Sequence, residues 1–244
     1  MNSTPLVDGP AHGDGHRHPA HQFETMEQQK ETSTLGMWLF LVTEIMFFGG
    51  LFTAYLVYRH MYPDAFAAAS STLNVPLGAL NTAVLICSSL TMALAIRSAQ
   101  VNQRGRIVLF LLLTMLLGTT FLVVKGFEYH DKFVESHIPG DMFKPFNFVL
   151  ENEHEAGVAH AGDTLYQRHA EIFFSLYFIM TGIHATHMII GIAILAVLVF
   201  YARRGKFDPG YYNPLEMTGL YWHFVDIVWI FLFPMLYLLG AHTK

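Results

Sequence analysis

Five apolar stretches, each long enough to form a membrane-spanning helix, recur along this chain of 244 residues. A run of about 18 or more residues with few charges crosses the hydrocarbon core of a bilayer as a helix. These stretches do not alternate polar and apolar residues, as the strands of a membrane barrel would. We therefore predict an all-α, polytopic membrane protein with a bundle of five transmembrane helices. The predicted spans lie at about 36–58, 77–96, 107–127, 172–201 and 217–239.

The composition agrees with a membrane protein and argues against several other classes. Charged residues make up 14% of the chain, against about 25% in soluble domains. A formal net charge of −5 leaves no basic face of the kind that binds nucleic acid. Cys87 is the only cysteine and lies inside an apolar stretch, which excludes an intrachain disulfide and a cysteine-rich metal site.

A polar segment at residues 1–33 precedes the membrane domain, which we place at 34–244. Histidine-rich tracts can bind metal, but the low hydrophobicity of this segment is typical of a flexible tail. We therefore predict a flexible tail. Its histidines are His12, His16, His18 and His21.

Basic residues in the short loops predict the orientation of the chain. Loops 97–106 and 202–216 each hold three Lys or Arg residues, whereas loop 59–76 holds only Arg59. Because basic loops stay in the cytoplasm, we predict a cytoplasmic N-terminus and an outward C-terminus. The long segment 129–170 then faces outward with seven acidic and three basic residues. Its length predicts a contact with a neighbouring subunit, a cytochrome domain or a supercomplex neighbour.

Ionisable side chains in the predicted spans need a specific role, because each costs about 2.5–3.5 kcal/mol at mid-bilayer. Glu44 and Asp226 lie at similar depths in the first and fifth spans, and His223 shares a helix face with Asp226. His184 and His187 share a face of the fourth span. Three interpretations stay open: a metal or haem site of histidines and a carboxylate, a proton path, and interhelical hydrogen bonds, including an Asp226–His223 contact, that fix packing.

Five motifs, in the same order as in a known family, cover most of the chain from His21 to Tyr237. They are HQFETMEQQKETSTLGMWLFLVTEIMFFGGLF, LNTAVLICSSLTM, FEY, TGIHATHMIIG and YWHFVDIVWIFLFPMLY. The chain resembles subunit III of haem–copper cytochrome c oxidases. More specifically, it resembles the short bacterial form, which lacks the first two of the seven helices found in longer members.

The resemblance implies a non-redox subunit of a proton-pumping terminal oxidase, active in aerobic respiration in a bacterial inner (plasma) membrane. Haem and copper would then lie in subunits I and II, and this chain would hold no metal, no redox cofactor and no catalytic residue. Subunit I is the expected main contact, with subunit II and bound phospholipid as further partners. The expected role is to support proton uptake, stability and lipid binding of the catalytic core.

The resemblance also implies candidate site residues. Glu44, in the segment TEIMFF, falls on the family's buried, carbodiimide-reactive glutamate. The remaining candidates are polar positions that we expect to bind lipid or to fix packing. They are Arg59, His60, Glu128, His184, His187, Glu216, Trp222, His223, Asp226 and Trp229.

Several alternatives stay beside this interpretation. Quinol oxidases and a protein associated with nitric oxide reductase share the same subunit type. A proton-coupled secondary transporter would use Glu44 and Asp226 as proton carriers, although transporters usually contain internal repeats and broken helices. The last alternative is a free-standing metal-binding membrane protein, which metal analysis of the purified chain would separate from the others.

Overall fold

Six helices and a terminal π-helical turn make up the described part of the computed structural model, residues 25–134, 164–207 and 211–238. Five of these helices are long and apolar enough to cross a membrane. The predicted all-α, polytopic fold is therefore confirmed, whereas the orientation of the termini stays a prediction. The elements are α1 (Met26–Met61), α2 (Pro63–Ser71), α3 (Val75–Gln100), α4 (Arg104–Val134), α5 (Thr164–Arg203), α6 (Asn213–Phe233) and the π-helical turn (Pro234–Leu238).

The first helix begins well before the predicted span, inside the stretch that we expected to be a polar tail. Thr25 is its N-cap, and the Thr25 side chain accepts a hydrogen bond from the Gln28 amide at 3.1 Å. Glu27 stands in the first turn, where a negative charge favours the helix dipole. The residues MEQQKE all have high helix propensity. A polar flank thus continues the helix beyond the bilayer, and the predicted tail boundary at residue 33 is wrong for residues 26–33.

The long connection predicted at 129–170 is shorter than expected at both ends. α4 continues to Val134, and α5 already begins at Thr164. The predicted contact of this connection with a partner rests on residues 135–163, which lie outside the described residues. The histidines of the predicted tail lie outside them as well.

A short helix, α2, occupies the connection between the first two spans, for which the sequence predicts a loop. Pro63 stands in its first turn, where a missing N–H costs nothing, and the alanine-rich sequence that follows favours a helix. Phe66 is buried beneath it and contacts the rings of Tyr55 and Phe173, with centroids 5.5 and 5.4 Å away. α2 therefore caps one end of the bundle between α1 and α5.

The last spanning helix, α6, is the most buried of the five and packs against α1, α3 and α5. Its Trp222 is fully buried. A Cβ added at Gly118 of α4 or at Gly191 of α5 would lie only 2.8 Å from the Trp222 indole. Glycine is therefore required at both positions, because small residues let membrane helices approach closely. The Trp222 ring sets the spacing of α4, α5 and α6.

The C-terminal end of α6 widens into the π-helical turn, which neighbouring elements hold in place. Pro234, at the start of this turn, has no backbone N–H and interrupts the regular α-helical hydrogen bonds. The Tyr55 hydroxyl of α1 donates to the Met235 carbonyl at 2.7 Å, and the Ser70 hydroxyl of α2 donates to the Leu236 carbonyl at 2.9 Å. The carbonyls that the π-helical turn presents are thereby satisfied by side chains from α1 and α2.

Candidate functional site

Glu44 of α1 contacts His187 of α5 inside the membrane-spanning part of the bundle. Glu44 Oε2 lies 3.2 Å from His187 Nε2. His187 Nδ1 lies 2.9 Å from the Ile183 carbonyl, which can only accept, so Nδ1 is the donor of that hydrogen bond. The Nε2–Oε2 contact then needs one further proton, carried by either partner. The Tyr221 hydroxyl of α6 donates to the His187 carbonyl at 2.9 Å, so the contact joins three helices.

The second histidine of the predicted pair, His184, has a different environment. It is 1% exposed and packs against the rings of Phe121 and Trp229, with centroids 5.5 and 5.2 Å away. Neither of its ring nitrogens has a hydrogen-bond partner among the described residues. Within the described ranges, no group of three or more His, Cys, Asp or Glu side chains is placed to hold a metal ion.

His223 and Asp226 are not in contact, although their spacing placed them on one face of α6. The Ser89 hydroxyl of α3 lies 2.6 Å from His223 Nδ1. Asp226 is 3% exposed, and neither of its carboxylate oxygens has a hydrogen bond from the described residues. Ser89 also lies near the Asp226 carboxylate, but no hydrogen bond of ordinary geometry joins the two. The predicted Asp226–His223 contact is wrong, because α3 supplies the histidine's partner.

A closed cluster of polar side chains joins α4, α5 and the π-helical turn. Lys125 Nζ donates to Glu128 Oε2 at 3.1 Å, to the Tyr177 hydroxyl at 3.0 Å and to the Tyr237 hydroxyl at 2.8 Å. Both tyrosine hydroxyls donate in turn to Glu128 Oε1. An ammonium group has three donors, and all three are used. We call these four residues the Lys125 cluster.

Sequence reasoning selected Glu128 but missed the other three members of the Lys125 cluster. The spacing of Lys125 and Glu128, three residues apart on one helix, was a visible signal. The tyrosines gave no such signal, because Tyr177 and Tyr237 are 49 and 109 residues from Glu128 along the chain. Lys125 stood near the end of a predicted span, where a lysine is usually expected to extend to the membrane surface. It is instead 4% exposed.

Two tryptophans of α6 that were candidate site residues donate hydrogen bonds to α3. Trp222 Nε1 donates to the Ser88 hydroxyl at 3.1 Å, and Trp229 Nε1 donates to the Thr82 hydroxyl at 3.1 Å. Each indole thus satisfies its single donor while its ring fills the core. Both hydrogen bonds join α6 to α3, and the wider role of the two residues stays a prediction.

The predicted polar residues at the helix ends lie on the outside of the bundle. Arg59 and His60 stand in the last turn of α1. Glu216, in the first turn of α6, pairs with Lys30 of α1 across 3.7 Å. The contact with lipid that we expected of these residues stays a prediction.

An apolar cavity of about 490 Å³ lies between α1 and α6. Trp38 and Phe52 line it on α1, and Leu220 and Phe231 line it on α6. His223 is the one ionisable residue in its lining. Its length along two helices and its apolar wall suit a hydrocarbon chain.

Comparison with known proteins identifies the family of the chain. The family model described as cytochrome c oxidase subunit III matches residues 17–144 and 160–241. The chain belongs to this family. It is a multi-pass membrane subunit, subunit III of a terminal oxidase, and part of a respiratory oxidase complex. This membership opposes both the secondary transporter and the free-standing metal-binding protein.

Individual relatives in this family come from distant organisms. The chain is 30% identical to cytochrome c oxidase subunit 3 of Synechocystis sp., over 98% of this chain and 84% of that protein. It is 31% identical to cytochrome c oxidase subunit 3 of Gadus morhua, over 84% of this chain and 69% of that protein. It is 26% identical to a probable quinol oxidase subunit 3 of Staphylococcus aureus, over 91% of this chain and 96% of that protein.

Proposed function

We propose that this chain is the non-redox subunit III of a proton-pumping cytochrome c oxidase in a bacterial plasma membrane. In this proposal subunits I and II carry the haem and copper. Subunit III binds mainly to subunit I, holds phospholipid and supports proton uptake and stability of the catalytic core. The relatives from Synechocystis sp. and Gadus morhua, at 30% and 31% identity, are cytochrome c oxidase subunits. This favours cytochrome c as the electron donor.

The observation that carries the supporting role is how the polar groups inside the bundle are used. Glu44 contacts His187, and Lys125 contacts Glu128, in each case together with side chains from other helices. Within the described part of the chain, His184 contributes ring packing rather than hydrogen bonds, against Phe121 and Trp229. Polar groups that form contacts between helices stabilise the packing of a membrane bundle. We expect such contacts in a subunit that supports a catalytic neighbour.

A bound phospholipid is part of the proposal and would occupy the cavity between α1 and α6. Lys30 and Glu216 join the ends of the same two helices, and the Lys30 ammonium lies 5.5 Å from the centre of the Tyr212 ring. Lys30 precedes Trp38, which lines the cavity, by about 12 Å at 1.5 Å per residue. A phospholipid with an acyl chain in the cavity would therefore place its head-group phosphate close to Lys30.

A quinol oxidase is the second candidate, favoured by the Staphylococcus aureus relative, which the chain matches over nearly its whole length. Purification of the tagged chain from its native membranes separates the two. We expect subunits I and II with haem absorbance to co-purify, and oxygen consumption to be driven by reduced cytochrome c. Activity with quinol alone would establish the second candidate, and purification without a haem protein would refute both.

Substitutions at two adjacent glycines, Gly49 and Gly50, test the proposed lipid site. A Cβ at Gly49 or at Gly50 would meet no atom within 4 Å, but only Gly49 lines the cavity. Gly49→Phe should fill the cavity and remove a phospholipid from the purified complex, measured by lipid extraction and mass spectrometry. Gly50→Phe is the matched control. Equal phospholipid content in both variants would rule out this cavity as the lipid site.

A further inference from the structure

Asp226 is a buried acid whose carboxylate oxygens accept no hydrogen bond of ordinary geometry from the described part of the chain. It is 3% exposed, and both carboxylate oxygens are without a hydrogen bond. Its neighbour Ser89 lies 2.6 Å from His223 Nδ1 and makes no hydrogen bond of ordinary geometry to the Asp226 carboxylate. Buried polar groups in native proteins nearly always have a partner, because desolvation without a hydrogen bond is costly. The missing donor is therefore expected to come from another molecule.

The surroundings of Asp226 form an open pocket rather than a sealed core. A cavity of about 410 Å³ between α3 and α6 has Asp226, His223 and Ser89 in its lining. Its rim is apolar and faces outward: Ile86 is 54% and Leu90 is 60% exposed on α3. On α6, Ile227 and Ile230 are exposed as well.

The depth of the pocket limits the kind of molecule that can fill it. Asp226 lies near the middle of the span Asn213–Leu238, about 18–20 Å from either end at 1.5 Å per residue. A phospholipid head group lies at the bilayer surface and cannot reach this depth. An acyl chain reaches it but carries no donor. A side chain on another transmembrane helix satisfies both requirements.

We propose that the groove between α3 and α6 binds a transmembrane helix of a neighbouring oxidase subunit, which donates a hydrogen bond to Asp226 from a hydroxyl, amide or indole side chain. Ile86 and Leu90 are four residues apart and form one ridge, and Ile227 and Ile230 form a second. A helix packs between two such ridges. Ser89 and Ala93 also line the groove, and their small side chains allow another helix to approach closely. The inference rests on the proposed function only in requiring an oxidase complex.

Two leucines of nearly equal exposure provide a matched test by photocrosslinking in the assembled complex. Leu90 is 60% exposed at the rim of the pocket, and Leu116 is 62% exposed on α4 and outside it. A photoreactive amino acid at Leu90 should crosslink to another oxidase subunit, and the same amino acid at Leu116 should not. Crosslinks from Leu90 to lipid alone, or to a second copy of this chain, would overturn the proposal.

Variants of Asp226 test the hydrogen bond itself. Asp226→Leu should lower retention of the subunit on the complex during detergent washing about tenfold, the equivalent of about 1.4 kcal/mol. Asp226→Asn keeps an accepting oxygen and should retain most of the binding. Unchanged retention of Asp226→Leu would contradict the proposal. Failure of the wild-type chain to co-purify with a haem protein would instead refute the proposed function, so the two failures are distinguishable.

Discussion

Two acids buried to the same degree, Glu128 and Asp226, have opposite surroundings. Glu128 is 4% and Asp226 is 3% exposed. Glu128 receives hydrogen bonds from Lys125, Tyr177 and Tyr237, whereas Asp226 receives none from the described residues. Burial alone therefore does not indicate the role of an intramembrane acid. A carboxylate whose partners are internal stabilises the subunit, and one without internal partners is available to a neighbour.

The Lys125 cluster is also the point where distant parts of the chain meet. It connects α4 and α5 to the π-helical turn at the end of α6. The pocket around Asp226 lies between only two helices, and its rim is exposed. Substitutions in the cluster should thus affect the stability of the subunit, and substitutions around Asp226 should affect its association.

The largest expected effect comes from Lys125→Met, which leaves the Glu128 carboxylate buried without its counter-charge. Breaking one side of a buried ion pair costs about 3–5 kcal/mol, so the free energy of unfolding in detergent should fall by this amount. Lys30→Met is the control, because the pair with Glu216 is exposed and contributes at most about 1 kcal/mol. The double variant Lys125→Met/Glu128→Leu should recover most of the loss. Equal losses for the two single lysine variants would disprove the special role of the cluster.

A smaller effect is expected from Gly78→Ala, which acts on the cluster through packing. The added Cβ would lie 2.8 Å from the Phe233 ring and 3.1 Å from the Tyr237 ring. Overpacking of this kind costs about 1–3 kcal/mol, measured as a fall in the free energy of unfolding. Gly126→Ala, next to Lys125, meets no atom within 4 Å and should not destabilise the subunit. A loss at Gly126 and none at Gly78 would contradict the geometry.

Loss of the contact between Glu44 and His187 should have an effect between those of Gly78→Ala and Asp226→Asn. Glu44→Leu removes an interhelical hydrogen bond worth about 0.6–2 kcal/mol, seen as a lower free energy of unfolding. Glu44→Gln keeps a donor and an acceptor at similar volume, so assembly and oxygen consumption should stay close to wild type. Complete loss of electron transfer in Glu44→Gln, with haem content intact, would make Glu44 an obligatory proton carrier instead.

The smallest effect is expected from Asp226→Asn. Because the carboxylate makes no internal hydrogen bond of ordinary geometry with the described residues, its replacement by the isosteric amide removes no internal contact and should not lower the free energy of unfolding. Glu128→Gln is the comparison, since it removes the counter-charge of Lys125 and should destabilise the subunit clearly. If the unfolding curves of the two variants coincide, Glu128 and Asp226 do not differ in their contribution to stability.

The sequence by itself determined the number of spans, the fold class and the family. Apolar length is a local property, and a chain in lipid must satisfy its backbone hydrogen bonds within each segment, so an apolar run of sufficient length becomes a helix. The ends of the helices were less accurate, because polar residues such as those at 26–33 continue a helix outside the bilayer. α2 was missed, because nine residues with few charges give little periodic signal.

Only the tertiary structure decided which partner each polar side chain finds. His223 and Asp226 share a face of α6, yet His223 binds Ser89 of α3. Lys125 meets two tyrosines from distant parts of the chain. The physical reason is that packing between helices sets their rotation and spacing. The Trp222 ring, for example, fits against glycines of α4 and α5. Spacing along one helix places a side chain on a face, and the neighbouring helix decides what that face meets.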